Sequence, residues 1–577
     1  MLHRRRSATA VRLGAPTTRP RGVRAPIHLG RARPHRGNHV STTTPPPEGP
    51  GGPEYLEQGG GEPAPRSSSG GGGRRTALVA GGAVAVLALA GAGTWAAMSF
   101  LGSGAQPAEA LPAGTLGYAS IDLDPSGSQK IEAVRTLNKF PAIKEELGLA
   151  ADDDLRRKIF EEALTDCDSV SYADDVEPWL GNAFAVAAVD TGEEQPSPVF
   201  VAEISDAAAA EEGLTAVREG CGSEEGGWSI EGDWAVAAET DEIAQQVTDA
   251  AAEGTLADDS DYQDWMAEVG DEGVITMYAA PEAGPLMADL MASDLAGMAQ
   301  GGMPGGMGPQ GAVPEELTAQ LEEFPGAAAT VRFADGAAEL EFVGGVAATG
   351  VLESDAEGVD TVTSLPADTA AAFGMALPDG WGQKLLDQMS SMSGGQMDPE
   401  QLVAQAEQMT GLSLPEDLEA LLGDSTAIAL GGDFSAEALA NSSDGSDVPV
   451  GIKVDGDAAE VQRVLDQLTT TFGPGFEQVL GSDADDDTVA VGPNADYRSD
   501  LLADGGLGDS EAFQRVVPEA DSSSVVLFVN FDAGDWLSGL TAGDDQAAAN
   551  TEPLDSLGFS VWQDDEVSHG LLKLTTD

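Results

Sequence analysis

Histidine, the usual acid–base residue near neutral pH, is nearly missing from this chain. Four of its five copies precede residue 40, and the fifth is His569. With His569 set in the final hairpin pattern, His-based triads and multi-His metal centres built from one chain are excluded. His569 itself reads as a surface hairpin residue. Cys167 and Cys221 are the only cysteines. Neither belongs to a C-x-x-C pair, so redox catalysis is not indicated. An even, small number outside the membrane suggests one disulfide, with two buried free thiols as the alternative. No G-x-x-x-x-G-K-[ST] run occurs. The glycines at 70–73 and 301–311 do not stand between a strand and a helix, so neither group is a phosphate cradle.

Carboxylates are the opposite case. From Leu111 onward there are 93 Asp+Glu against 15 Lys+Arg, a net charge of -78, while the preceding residues carry 13 basic and 5 acidic groups, or +8. Two acids at a suitable separation are enough for glycosidase-type hydrolysis. Among so many candidates the sequence nominates no pair, and the scarcity of Trp and Tyr argues against a sugar cleft. Asp483, Asp485 and Asp487 form a D-x-D-x-D run. A calcium loop starting there needs Gly where Thr488 stands and Glu where Asn494 stands, so the run reads as an acidic hairpin turn. Asp152-Asp153-Asp154 reads as the start of a helix, where acids complement the dipole. Met287, Met291, Met298, Met303 and Met307 lie amid Gly and Pro, with Met389, Met392 and Met397 as a second group. Thioethers bind Cu(I) and make adaptable apolar contacts, but a mobile insertion opening with an amphipathic helix is the plainer reading. No catalytic, cofactor-binding or metal residue is assigned, and no cofactor is expected.

The -78 region repels nucleic acid and anionic headgroups, and it attracts cations or a basic partner. The same charge keeps a weakly apolar protein soluble. What holds it in place is the run from Thr76 to Leu101, 26 residues without a charge. About 20 apolar residues span a bilayer core. Arg74-Arg75 precedes the run and no Lys or Arg follows until Lys130, so the N-terminus is expected in the cytoplasm and the remainder outside. A cleaved signal peptide is the rival, since Ala108-Glu109-Ala110 has the A-x-A form. The length of the apolar run favours a retained anchor. Residues 1–39 hold ten Arg and no acid, and read as upstream sequence before a start at Val40, against a basic tail or transit peptide. Residues 45–75 are too polar and too rich in Pro and Gly to fold.

Beyond the anchor, two series of segments match in the same order. Leu111-Pro112-Ala113-Gly114-Thr115 is echoed by Leu365-Pro366-Ala367-Asp368-Thr369. Each leads into an apolar strand, 116–121 or 370–376, and then a helix-like stretch holding Gln129-Lys130 or Gln383-Lys384. Strands at 183–189 and 199–204 match 425–430 and 448–454, and helices at 207–218 and 458–471 follow. Residues 254–278 align on 505–529 at a constant offset of 251, with Tyr262 on Phe513. Hairpins at 328–333 with 338–343, and at 559–562 with 570–574, close the two copies. Strand pairs without regular crossovers favour α+β with mostly antiparallel sheet. The expected architecture is a single N-terminal transmembrane helix followed by a duplicated, mostly antiparallel α+β ectodomain. Its parts are a tail at 1–75, the helix at 76–101, a linker at 102–110, and repeats at 111–351 and 352–577. The copies form either separate domains or one sheet.

The short tail, single anchor and Leu-Pro-Ala-x-Thr opening before an apolar strand resemble the domain of unknown function 3352 family. The Ala/Gly/Asp-heavy usage resembles that of high-GC actinobacteria, streptomycetes in particular. The resemblance implies no activity and no site residue. The expected role is a non-enzymatic binding or scaffold protein of the cell envelope, tied to the membrane by one helix. Its expected partner is an envelope protein or a lipid, and not nucleic acid. The rivals are a carrier of an apolar ligand and a carboxylate-dependent hydrolase.

Overall fold

The computed structural model describes residues 106–288, 321–345 and 359–577, apart from short stretches within them such as 123–126 and 142–154. The run Thr76–Leu101, the Val40 start, Asp152-Asp153-Asp154 and the Met-rich segment beyond Met287 lie outside the described residues. Among the described residues, no helix is long and apolar enough to cross a membrane.

The architecture is α+β, with all strands among the described residues in one antiparallel sheet of sixteen. The first half supplies β1 (Thr115–Asp122), β2 (Leu180–Val189), β3 (Ser197–Ile204), β4 (Gly227–Glu231), β5 (Trp234–Ala238), β6 (Ile275–Ala279), β7 (Ala327–Ala334) and β8 (Ala337–Gly344). The second supplies β9 (Thr369–Ala376), β10 (Ser425–Gly431), β11 (Val450–Asp455), β12 (Ser482–Asp485), β13 (Thr488–Val491), β14 (Ser523–Asn530), β15 (Leu554–Asp564) and β16 (Val567–Thr576). From its outer edge the first half runs β4-β5-β3-β2-β1-β6-β7-β8, and the second runs β12-β13-β11-β10-β9-β14-β15-β16. The orders are the same. The halves meet where β8 pairs with β16, from Ala337↔Thr575 to Gly344↔Ser568.

The Leu-Pro-Ala-x-Thr runs have a local cause. In each, the Thr hydroxyl donates back to the Pro carbonyl, Thr115 Oγ1 to Pro112 and Thr369 Oγ1 to Pro366, both at 2.7 Å. Each Pro bridges a distant strand-like residue, Thr255 or Gly506. Leu111 and Leu365 are fully buried beneath these turns. Strand β11 starts two residues later than its apolar run suggests, because Pro449 has no N–H to donate to a ladder and Val448 is tied to Gly445.

Helices among the described residues include α1 (Gly127–Asn138), α2 (Leu155–Ala163), α3 (Ala207–Gly220), α4 (Asp241–Ala251), α5 (Ser260–Val269), α6 (Trp381–Met392), α7 (Pro399–Thr410), α8 (Glu416–Leu422), α9 (Ala458–Phe472), α10 (Ala495–Leu502) and α11 (Glu511–Val516). Side-chain caps set several starts: Asp206 for α3, Thr240 for α4, Asp457 for α9, Asn494 for α10 and Ser510 for α11. Each accepts from backbone N–H groups that a helix start leaves without partners.

Alternate strand residues point to opposite faces. One face is covered in both halves alike. In the first, Tyr118, Val201 and Tyr278 pack with Val247 of α4 and Tyr262 of α5. In the second, Ala372, Val526 and Phe528 pack with Leu501 of α10 and Phe513 of α11. Tyr262 meets Tyr278 edge-on at 5.1 Å, and Phe513 meets Phe528 edge-on at 5.2 Å. Tyr278 therefore corresponds to Phe528, not to Val529 as the ungapped alignment has it. A one-residue slip in a strand exchanges its faces, so the offset must change between helix and strand.

The other face is covered unevenly. In the first half, Ala133 and Leu137 of α1 pack on Val331, Phe333 and Ala338. Phe160 of α2 and Ala210 of α3 belong to a cluster with Phe184 and Ala202. Cys167, just past α2, is bonded to Cys221, the C-cap of α3. In the second half, Val461 and Leu465 of α9 cover Val454, Val489 and Val491. Helix α6 packs against α7 and α8.

His569 is not a surface residue. It is 7% exposed, its ring stacks on Trp562 at 5.2 Å, and its Nε2 has no hydrogen-bond partner among the described residues. The hairpin pattern misleads because β16 is an inner strand, flanked by β15 and β8.

Candidate functional site

The feature that follows from this uneven cover is a cross-sheet row. Start at Ile452 on β11 and follow directly opposed partners. Ile428, Phe373, Leu527, Phe559, Leu572, Leu340, Val331, Ile275, Ile121 and Phe184 come in turn. Every member is a large apolar residue, and all point to the unevenly covered face.

The ends of the row are under helices. The middle, from Ile428 on β10 to Leu572 on β16, is not covered by a helix among the described residues, and Leu340 on β8 lies at the edge of the α1 cluster. Ile428 is 50% exposed, and Phe373, Leu527, Phe559, Leu572 and Leu340 are each partly exposed. The neighbouring positions on the same face, Met375, Val529, Leu557, Val561 and Leu574, are also apolar and mostly part-exposed. Phe342 is 38% exposed, stacks on Phe559 at 6.4 Å, and lies over Gly570 where a Cβ would collide with its ring. Six strands at ~4.8 Å spacing make this patch about 24 Å across. Scattered apolar side chains on a surface are ordinary, but a contiguous patch marks a binding surface.

Behind the patch, on the opposite face of the same strands, lies a buried charge group. Glu339 of β8 is held by Arg332 Nε at 2.8 Å and by Lys573 Nζ of β16 at 2.7 Å. Arg332 also pairs with Glu341 and donates to the Val269 carbonyl at the end of α5. Burial alone would raise the Glu339 carboxyl, but hydrogen bonds from Lys573 and Arg332 outweigh it and hold it below the usual range. These residues fix the strands that carry Leu340, Phe342 and Leu572.

Asp483 and Asp485 lie on β12, whose hairpin with β13 turns through Asp486 and Asp487, and Asp483 pairs with Arg498 at 2.7 Å. The carboxylates of Asp532, Asp555 and Asp577 converge within 4.8 Å. Asp555 already has Arg515 at 2.6 Å and the Thr575 hydroxyl at 2.8 Å. Sequence reasoning missed the row. Alternation within each strand was readable, but the alignment of one strand with the next was not.

The matching family model covers residues 78–442, more than half of the chain, and is described as a protein of unknown function, DUF3352. The chain belongs to the DUF3352 family. No curated protein and no solved structure matches the chain.

Proposed function

We propose that this DUF3352 protein is a non-catalytic binding protein of the cell envelope, anchored by residues 76–101 with its acidic region outside. Its part-exposed row then binds a long acyl chain. The part-exposed apolar row from Ile428 to Leu572 carries this reading. A ligand without hydrogen-bonding groups suits a surface that offers none. Several observations support the anchor. The family match begins at residue 78, inside the apolar run. Arg74-Arg75 lies on one side of it and the net charge of -78 on the other. Only 102–105 separate Leu101 from the first described residue, so the fold is tethered within about 18 Å of the bilayer surface. The shared strand order supports a duplication with one repeat on each side of residues 351 and 352. The composition supports an actinobacterial origin.

The test uses the full chain in native membranes and in detergent. Alkaline carbonate should leave it in the membrane, and external protease should reach the acidic region. The purified protein should bind a fluorescent, uncharged long-chain acyl ester. Substituting Phe559→Asp or Ile428→Asp removes about 2 kcal/mol of apolar contact and should weaken binding at least tenfold. Unchanged affinity in both variants would overturn the acyl-chain reading, and extraction by carbonate would overturn the anchor.

A further inference from the structure

The apolar patch holds more than one row. Next to the central row, directly opposed partners run Met375, Val525, Val561, Gly570, Phe342 and Ala329. On every strand the two rows stand two residues apart, about 7 Å. A furrow between them crosses the strands. Phe342 blocks it. Its backbone belongs to β8, yet its ring lies over Gly570 of β16 and stacks on Phe559 of β15 at 6.4 Å. The ring thus bridges the two rows. From Ile428 on β10 to β16, the order β10-β9-β14-β15-β16 gives four strand spacings, about 19 Å. Past the ring the furrow resumes on β7 and β6. Val331 and Ile275 wall it on one side, and the part-exposed Ala329 and Met277 on the other.

The two halves fill this place differently. Ile121 and Met375 stand equally far past the Thr of their Leu-Pro-Ala-x-Thr runs. From Ile121, opposed partners lead through Ile275 and Val331 to Leu340. From Met375 they lead through Val525 and Val561 to Gly570. Gly570 therefore takes the place of Leu340, and Phe342 takes that of Leu572. At the seam Leu340 opposes Leu572, and Gly570 opposes Phe342. Leu opposite Leu is the plain filling, and Gly opposite Phe is the departure from it. A glycine inside a strand brings no side chain to pack and marks a close approach. Here a Cβ would collide with the Phe342 ring. Core packing does not account for the exchange, because Phe342 stays 38% exposed.

We propose that Phe342 is the stop that sets how long an acyl chain the row accepts, with Gly570 making room for its ring. This rests on the acyl-chain reading. The chain lies in the furrow from Ile428 toward β16, and its methyl end meets the ring. A shorter chain leaves part of the furrow wet, and a longer one must bend out into water. Without the ring, the furrow continues over Ala329 toward Met277, whose apolar side chains receive the rest of a longer chain.

The test is displacement of the fluorescent acyl ester from the full chain by methyl decanoate, methyl palmitate and methyl tetracosanoate. A steroid detergent is used, since it brings no acyl chain of its own. Wild type should bind palmitate several times more tightly than either of the others. Phe342→Ala should bind tetracosanoate at least tenfold more tightly than wild type does, with palmitate little changed. Phe342→Leu, too short to reach Phe559, should shift the preference the same way by a smaller factor. Should Phe342→Ala fail to fold, Phe342→Leu decides. Palmitate binding with the wild-type length preference kept in both variants would overturn the stop and leave the acyl-chain reading standing. So would a wild type that binds tetracosanoate as tightly as palmitate. A wild type that binds no ester of any length would overturn both.

Discussion

At the scale of single residues, the charge group behind the apolar patch makes the sharpest claim. Glu339 is held by one cation from its own half and one from the other. Removing one partner of a buried pair leaves a charge uncompensated and typically costs about 3–5 kcal/mol. Lys573→Met is therefore expected to destabilise the protein by about 3 kcal/mol in urea denaturation. Because its folded value is lowered, the Glu339 carboxylate contributes stability that is fully present above its unfolded value of about 4.3. That contribution is lost as pH falls from there through the folded value. Denaturation of wild type and Glu339→Gln should therefore differ most at neutral pH and converge in acid. None of this was readable from sequence. Arg332 and Glu339 oppose each other within one hairpin, but Lys573 lies more than two hundred positions away, and nothing local marks it as their neighbour. The absence of histidine machinery was readable, because it depends on composition alone. His569 was misread because its environment comes from β8, which lies more than two hundred residues earlier.

Elements tell a different story. Most strands could be located from alternation and turn residues, because those signals act within a few residues. The Leu-Pro-Ala-x-Thr runs were visible as repeats, and their turn geometry explains why Leu, Pro and Thr recur. Cover was not readable. Gln129-Lys130 and Gln383-Lys384 mark helices in matching places, yet α1 packs on the sheet while α6 packs on other helices. That difference leaves the row exposed. The bond between Cys167 and Cys221 fastens α2 to α3 across 54 residues of chain. Closing a loop of that length removes enough unfolded-state entropy to stabilise by about 4 kcal/mol at most. Denaturation with and without reductant should show a midpoint shift of that sign. An unchanged midpoint would mean that packing alone holds α2 and α3 together.

For the whole molecule, the decisive fact is that one sheet runs through both halves. The sequence left separate domains and a shared sheet equally open, since pairing between β8 and β16 depends on residues over two hundred positions apart. Because each half is built in the same strand order, each also ends on the same kind of strand. The outer strands β4 and β12 are short, and β12 carries Asp483 and Asp485. Short, charged border strands resist further pairing. The inner border strands β8 and β16 are longer, and their charges Glu339 and Lys573 pair with each other across the seam. Each serves as the other's cap. A first half expressed alone would expose the bare ladder of β8, and it should find a substitute in a second copy of itself. Light scattering on that fragment should report a dimer, and Leu340→Lys should shift it toward monomer. By the same reasoning, the intact chain carries two halves already saturated along their most adhesive edge.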